Sequence, residues 1–198
     1  MRTRRILIIY GTSYGQTAKI AEHMRAVLAG DGFDVVVANA DAAFLDVDPE
    51  HYDGVLVGGS LIRRRHQRSI RQFVTRHLAR LNAMPSGFFS VSGSAAGTDV
   101  RGPADARAAM EKFVTDTHWD PDMMTTVAGA MAYTKYPLLV RWVLREISRR
   151  SGGPTDTSRD HEFTDWKQVA AFAHRFGCVV SPLTAPRSTA RLSELTTR

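Results

Sequence analysis

Apolar residues fall into two alternating kinds of run along this chain. Short continuous runs occur at Ile6-Leu7-Ile8-Ile9-Tyr10, Val35-Val36-Val37, Gly54-Val55-Leu56-Val57-Gly58-Gly59, Gly87-Phe88-Phe89-Ser90-Val91 and Thr125-Thr126-Val127-Ala128-Gly129. Between them the apolar positions adopt three- and four-residue spacing. Ile20, Met24, Val27 and Leu28 do so within 17–29, followed by Ile70, Phe73, Val74, His77, Leu78 and Leu81. Met110, Phe113 and Val114 come after Pro103, and Trp166, Val169, Ala170, Ala173 and Phe176 near the end. The first kind predicts buried strands and the second predicts amphipathic helices. Gly30-Asp31-Gly32 ends the first helical pattern and Pro85 the second. Strands alternating with helices predict an α/β fold, because right-handed crossovers lay helices on both faces of a parallel sheet. Five strands suit a doubly wound sheet of order 2-1-3-4-5. Ligands of such sheets bind outside the carboxyl ends of the strands, at the switch between strands 1 and 3.

Two segments stand outside this alternation. Residues 132–162 separate the fifth strand from its helix and are too long for a plain connection. Residues 181–198 are rich in Ser, Thr, Pro and Arg and read as a flexible tail. The expected organisation is one domain over 1–180, carrying an insert at 132–162. No run approaches the roughly 20 apolar residues of a membrane span, and Arg2, Arg4 and Arg5 precede too short an apolar stretch for a secretory leader. The expected location is the cytoplasm. A single cysteine, Cys178, excludes internal disulfides and cysteine-based metal clusters, and no metal site is expected. The net charge of +6 comes mostly from arginine. It suits nucleic acid, an anionic membrane or an acidic small molecule. No nucleic-acid motif accompanies it, so no nucleic-acid partner is expected.

The chemistry concentrates where strands end. After the first strand comes Tyr10-Gly11-Thr12-Ser13-Tyr14-Gly15-Gln16-Thr17, a hydroxyl- and glycine-rich turn that opens a helix. Free backbone N–H groups and the positive end of the helix make such a turn a phosphate site. It lacks the lysine of a Walker loop and the three-glycine spacing of a dinucleotide fingerprint. An uncharged loop suits a phosphate monoester that is held and not cleaved, as in flavin mononucleotide (FMN). Strand 3 contributes Gly58-Gly59-Ser60-Leu61-Ile62-Arg63 and strand 4 Ser90-Val91-Ser92-Gly93-Ser94-Ala95-Ala96-Gly97. Three small, hydroxylated turns on the same sheet edge let a flat ring approach the backbone closely. Thr12, Ser13, Thr17 and the amides around Gly15 are the candidate phosphate ligands, with Tyr14 and Gln16 in the same loop. Leu61 and Ile62 are candidates to cover one face of the ring, with Ser60 beside them a further cofactor-binding candidate, and Ser92, Gly93 and Ser94 to bond its polar edge. Arg63 is placed to favour an anionic reduced ring. His66 is a candidate proton shuttle, because histidine ordinarily titrates near neutrality.

With these loops in place, the chain resembles the flavodoxin-like, quinone-dependent protoporphyrinogen dehydrogenases over residues 4–177. The resemblance is carried by Tyr14-Gly15-Gln16-Thr17, Gly59-Ser60-Leu61-Ile62-Arg63, Leu81-Asn82-Ala83-Met84-Pro85-Ser86, Phe89-Ser90-Val91 and Ala128-Gly129-Ala130. Ser151-Gly152-Gly153-Pro154-Thr155-Asp156-Thr157 and Thr164-Asp165-Trp166-Lys167-Gln168-Val169-Ala170 add to it, in or after the insert. Ser13 and Tyr14 replace charged residues of that family's loop, and Arg64-Arg65 replaces a more aromatic stretch. The resemblance implies an FMN enzyme of haem synthesis that oxidises protoporphyrinogen IX and passes electrons to menaquinone or ubiquinone. A flavodoxin-type electron carrier and a general quinone reductase are the alternatives, and flavodoxins tend to be acidic where this chain is basic. From Pro137 the insert reads as an amphipathic helix, with Leu139, Trp142, Val143 and Ile147 on a broad apolar side and Arg141 and Arg145 opposite. A Trp beside arginines suits a membrane interface, where a lipid-soluble quinone is met. It would also suit a porphyrin, with apolar contact for the ring and arginine for its propionates. Residues 137–150 are therefore the candidate contact with the inner face of the cell membrane. Packing of that face onto its own domain, or its burial in a homodimer, is the competing reading.

Overall fold

A computed structural model describes residues 2–41, 47–93, 101–131, 156, 158 and 160–181. Five parallel strands form its sheet: β1 (Arg5–Gly11), β2 (Asp34–Asn39), β3 (Gly54–Ser60), β4 (Ser86–Ser92) and β5 (Met123–Ala128). Their order is β2-β1-β3-β4-β5, the order the sequence predicts. Helices α1 (Gln16–Gly30), α2 (Arg68–Arg76), α3 (Leu78–Ala83), α4 (Arg101–Thr117) and α5 (Trp166–Val180) cover the sheet. None of the helices among the described residues is long and apolar enough to cross a membrane.

Strand periodicity divides the core in two. Ile6, Ile8, Leu56, Phe89, Val91 and Val127 face α1 and α5, where Ile20, Met24, Leu28, Phe172 and Phe176 meet them. Leu7, Ile9, Val55, Val57 and Phe88 face the opposite layer, with Ile70, Val74, Leu81, Met110 and Phe113. Both faces of β1 and β3 are thus dry, which is why their sequences are continuous rather than alternating. At Gly58 a Cβ would stand 2.1 Å from the Phe89 ring, so only glycine lets that ring lie on the central strand. Where α1 stops, Phe33 N–H donates to the Leu28 carbonyl (3.1 Å) and Gly32 takes φ +90°, a left-handed turn that glycine adopts freely. The Asp165 carboxylate caps α5, accepting from the amides of Lys167 and Gln168 at 2.9 and 3.1 Å.

Two features differ from the periodicity. The apolar pattern from Ile70 to Leu81 is two helices, broken at His77 (φ −109°, ψ 20°). The three–four spacing runs through the break, so pattern alone does not reveal it. The other difference is a small antiparallel pair, β6 (Ala130–Met131) with β7 (His161–Glu162), at the base of the insert. It ties the segment's departure to its return. The amphipathic segment 137–150 and residues 182–198 lie outside the described residues.

Candidate functional site at the carboxyl edge of the sheet

Sheet register brings the three loops together. Gly11 of β1 lies opposite Gly59 of β3, and Ser60 of β3 opposite Val91 of β4. Beyond the ladder, Leu61 N–H donates to the Val91 carbonyl at 2.7 Å and Gly129 N–H to the Ser92 carbonyl at 2.9 Å.

The loop from Thr12 to Gly15 leads straight into α1. Gly15 takes φ +94° at the cap position, and its N–H donates to Thr12 Oγ1 at 3.0 Å. A glycine cap has no side chain to turn back on the first helical amides, and the first turn holds no acidic residue. The Thr17 side chain is buried there, and its Oγ1 has no hydrogen-bond partner among the described residues. A buried hydroxyl without a partner is costly unless something else takes its proton. These features fit the phosphate of FMN: N–H donors, the positive end of a helix and an unsatisfied hydroxyl at one point.

Beside it, Ser13 and Ser60 approach within 3.5 Å (Oγ to Oγ), and the Gln67 amide bridges them. Gln67 Nε2 donates to Ser13 Oγ at 3.3 Å and also to Ser60 Oγ. Its Oε1 is buried and has no partner among the described residues, which leaves an acceptor for a hydroxylated ligand. Gln16 turns the other way, donating to Thr164 Oγ1 at 2.9 Å, and Thr164 in turn donates to the Ala128 carbonyl at 2.8 Å. Its side chain thus ties the first loop to the approach of α5. Asp41, just beyond β2, accepts from the Thr12 amide at 3.3 Å and from Ser69 Oγ.

Further along β3, Leu61 is half-buried, and Ile62 keeps 38% of its surface exposed. Arg63 is exposed, with φ +49°. Ser92 is buried and Gly93 half-buried at the end of β4, while Ser94 lies outside the described residues. Tyr14 is half-buried.

His66 is not in the environment of a solvated loop residue. Its Nε2 lies 2.9 Å from Ser90 Oγ, and its ring packs edge-on against Phe88 and Phe113 at 5.1 and 5.0 Å. Burial, with help from the nearby Arg71 cation, pushes its pKa down to about 4. It is neutral at pH 7, so the titration near neutrality expected from sequence does not hold in this setting. Gly59 makes room for it, since a Cβ there would stand 3.0 Å from the imidazole.

Sequence reasoning passed over Gln67 and Asp41, and it quoted Ser90 in the strand-4 run and Thr164 in a resembling string without giving either a role. The available signal for Asp41 was its place just past the second strand, on the same sheet edge. Gln67 precedes a helical stripe and carried no stronger mark.

A family model described as "Flavodoxin domain" matches residues 7–158. A protoporphyrinogen IX dehydrogenase (quinone) of Escherichia coli strain K12 is 36% identical over 167 residues, covering 84% of this chain and 91% of that protein. A protein of the same name from Leishmania major is 31% identical over 183 residues, covering 91% of this chain and 77% of that one. Among solved structures, a flavodoxin from the domain Archaea superposes with a TM-score of 0.50 at 14% identity, covering 89% of this chain and 98% of that chain. Flavodoxin 1 from Bacillus cereus gives 0.50 at 13% identity, covering 87% and 96%. At such identities the two structures are similar in fold alone.

Proposed function

This chain belongs to the flavodoxin domain family, and from that membership together with its curated relatives we infer that it is an FMN-dependent oxidoreductase that oxidises protoporphyrinogen IX to protoporphyrin IX with a quinone as acceptor. The observation that carries the cofactor reading is the amino end of α1, where a side-chain-free cap and the buried Thr17 hydroxyl, without a partner among the described residues, suit an anion. The substrate reading rests on the names of the relatives, which align over most of the chain. The overall change removes six electrons and six protons from the porphyrinogen and forms three quinols from three quinones.

The protein's part is to bind and orient. Thr12, Ser13, Thr17 and the amides around Gly15 would hold the phosphate. Gln67 would meet the hydroxylated chain, and Leu61, Ser92 and Gly93 the ring, while the exposed Ile62 would be left to the substrate. Bound there, FMN supplies two-electron acceptance from the porphyrinogen and release to the quinone. His66, neutral and anchored on Ser90, positions the β3 loop. Residues 137–150 are the proposed contact with the membrane that dissolves the quinone. Co-sedimentation with anionic liposomes tests that contact, and protein left wholly in the supernatant counts against it.

The deciding experiment is anaerobic. FMN-loaded protein is mixed with protoporphyrinogen IX and either menaquinone or ubiquinone, and porphyrin fluorescence is followed. Quinone-dependent appearance of porphyrin is expected. Porphyrin formation no faster than without enzyme overturns the reading and leaves an electron carrier.

A further inference from the structure

We propose that the hairpin after β3 reads the carboxylates of the substrate, with Arg65, aided by Arg63, gripping an ionised side chain of a flat ligand that rests on Ile62. This rests on the porphyrinogen reading above and deepens it, because such a substrate is an apolar macrocycle with ionised propionates on one edge.

The backbone is the first observation. Ile62 N–H donates to the Arg65 carbonyl and Arg65 N–H to the Ile62 carbonyl, both at 2.9 Å. The reciprocal pair closes a two-residue turn in which Arg63 and Arg64 take φ +49° and +63°. Turns of that kind ordinarily use Asn or Gly, because a side chain strains the left-handed region. Here two long cations sit where the backbone would favour neither.

The hairpin is also held from three sides. Arg64 pairs with Asp105 of α4. Leu61 N–H bonds the end of β4 at 2.7 Å. Ser60, just before, is engaged by Gln67 and lies 3.5 Å from Ser13. A surface fixed in this way loses little conformational freedom when it binds a ligand.

The face it presents mixes two chemistries. Ile62 and Arg65 are directly paired across the bridge, so their side chains project from the same side. Ile62 is exposed, which among the described residues is unusual for a large apolar side chain. Between 63 and 71 the sequence carries five arginines. Two of them are occupied, Arg64 by Asp105 and Arg71 by Asp116. Among the described residues, no ion pair engages Arg63, Arg65 or Arg68. An apolar platform beside a free guanidinium suits a ring bearing a carboxylate, which the planar fork binds through two parallel hydrogen bonds.

Equilibrium binding separates this proposal from the turnover it rests on. FMN-loaded protein is titrated with protoporphyrin IX and with its dimethyl ester, following quenching of protein fluorescence. The wild type is expected to bind the diacid at least tenfold more tightly than the diester. Arg65→Gln should weaken the diacid about tenfold and leave the diester unchanged, with Arg63→Gln/Arg65→Gln losing the preference altogether. Arg65→Lys should recover part of it. Ile62→Ser should weaken both ligands equally, which a purely ionic site would not show. Equal affinity of the wild type for diacid and diester overturns the proposal, as does a diacid affinity unchanged within twofold in Arg63→Gln/Arg65→Gln. Thermal unfolding of each variant shows that its fold is retained. Should the diacid bind in an arginine-dependent way and yet no quinone-linked oxidation occur, the enzymatic reading falls and the carboxylate site stands. Should both variants oxidise porphyrinogen with the wild-type KM, the carboxylate site falls and the enzymatic reading stands.

Discussion

Replacing Thr17 by valine exchanges one hydroxyl for a methyl group at nearly constant volume, and it should move two observables in opposite directions. The side chain is 1% exposed and its Oγ1 has no partner among the described residues. An unsatisfied buried hydroxyl costs about 1–3 kcal/mol. Valine removes that penalty, and its intrinsic helix preference is close to that of threonine. The flavin-free protein should therefore gain about 1 kcal/mol or more, which for a chain of this size raises the Tm by about 2–4 °C per kcal/mol. Binding should suffer instead. A hydrogen bond from the hydroxyl to a charged phosphate oxygen contributes about 1.5–3 kcal/mol. Its loss should raise the Kd for FMN roughly tenfold to a hundredfold. Circular dichroism on the apoprotein reads the first quantity, and quenching of FMN fluorescence on titration reads the second. Thr17→Ser keeps the hydroxyl and should hold near-wild-type affinity while losing some packing. A variant Thr17→Val that binds FMN within twofold of the wild type would show that the hydroxyl is no cofactor ligand. A fall in its apoprotein Tm would show that the hydroxyl was satisfied all along.

His66 should make stability depend on pH: the native state holds its pKa near about 4 against an ordinary 6.5, so the unfolded chain binds more protons between those values. Stability is complete above the unfolded value and declines as pH falls towards 4, by about 2–3 kcal/mol at about pH 4.5; urea unfolding at both pH values should show a smaller decline for His66→Gln, and equal declines refute the assignment. Gly58→Ala places a methyl group 2.1 Å from the Phe89 ring and should cost about 1–3 kcal/mol through overpacking. Adding Phe89→Leu should recover part of that loss in thermal unfolding, and simple additivity of the two losses would sink the explanation. Ser86→Ala strands the buried Trp119 indole N–H, which donates to Ser86 Oγ at 3.1 Å, and should cost about 1–3 kcal/mol. The double variant with Trp119→Phe should lose less than the two single losses summed, by a coupling of about 0.5–3 kcal/mol, and no coupling counts against the bond.

What the sequence made legible follows from how local each signal is. Ile6 to Ile9 and Val55 to Val57 are buried on both sheet faces, so their continuous apolar character announces buried strands without help from the rest of the chain. Five such runs between helices then leave few topologies open. Gly15, with its φ of +94°, was marked by its neighbours Thr12, Ser13 and Thr17. Other features depend on residues far apart. Gln67 meets Ser13 across 54 positions and Asp41 meets Thr12 across 29, and no local pattern encodes either contact. His66 looks like a polar loop residue until Phe88 and Phe113 close around it. The turn at Arg63 and Arg64 was hidden for the opposite reason, since its residues contradict the usual turn signal. The break at His77 was masked because both helices face the same core, and a shared core keeps the apolar spacing in phase.

The two anion sites proposed for this edge would use different physics, and the difference has a functional consequence. The loop before α1 holds no cation from Tyr10 to Ala18, and a carboxylate, Asp41, sits on its Thr12 amide. A site of amides and hydroxyls gains its selectivity from geometry, since several short donors must converge on one group. The hairpin after β3 instead gathers formal charge on long side chains, which attract any carboxylate over a greater distance. If arginines lined the first loop as well, a dicarboxylate substrate would compete there with the phosphate of the cofactor. Keeping that loop uncharged while charging its neighbour would let the same edge hold one anion continuously and exchange another at every turnover. Placing an arginine in the first loop, as in Ser13→Arg, should therefore make protoporphyrin IX inhibit FMN loading of the apoprotein; loading that stays insensitive to the porphyrin would show that charge does not keep the two ligands apart.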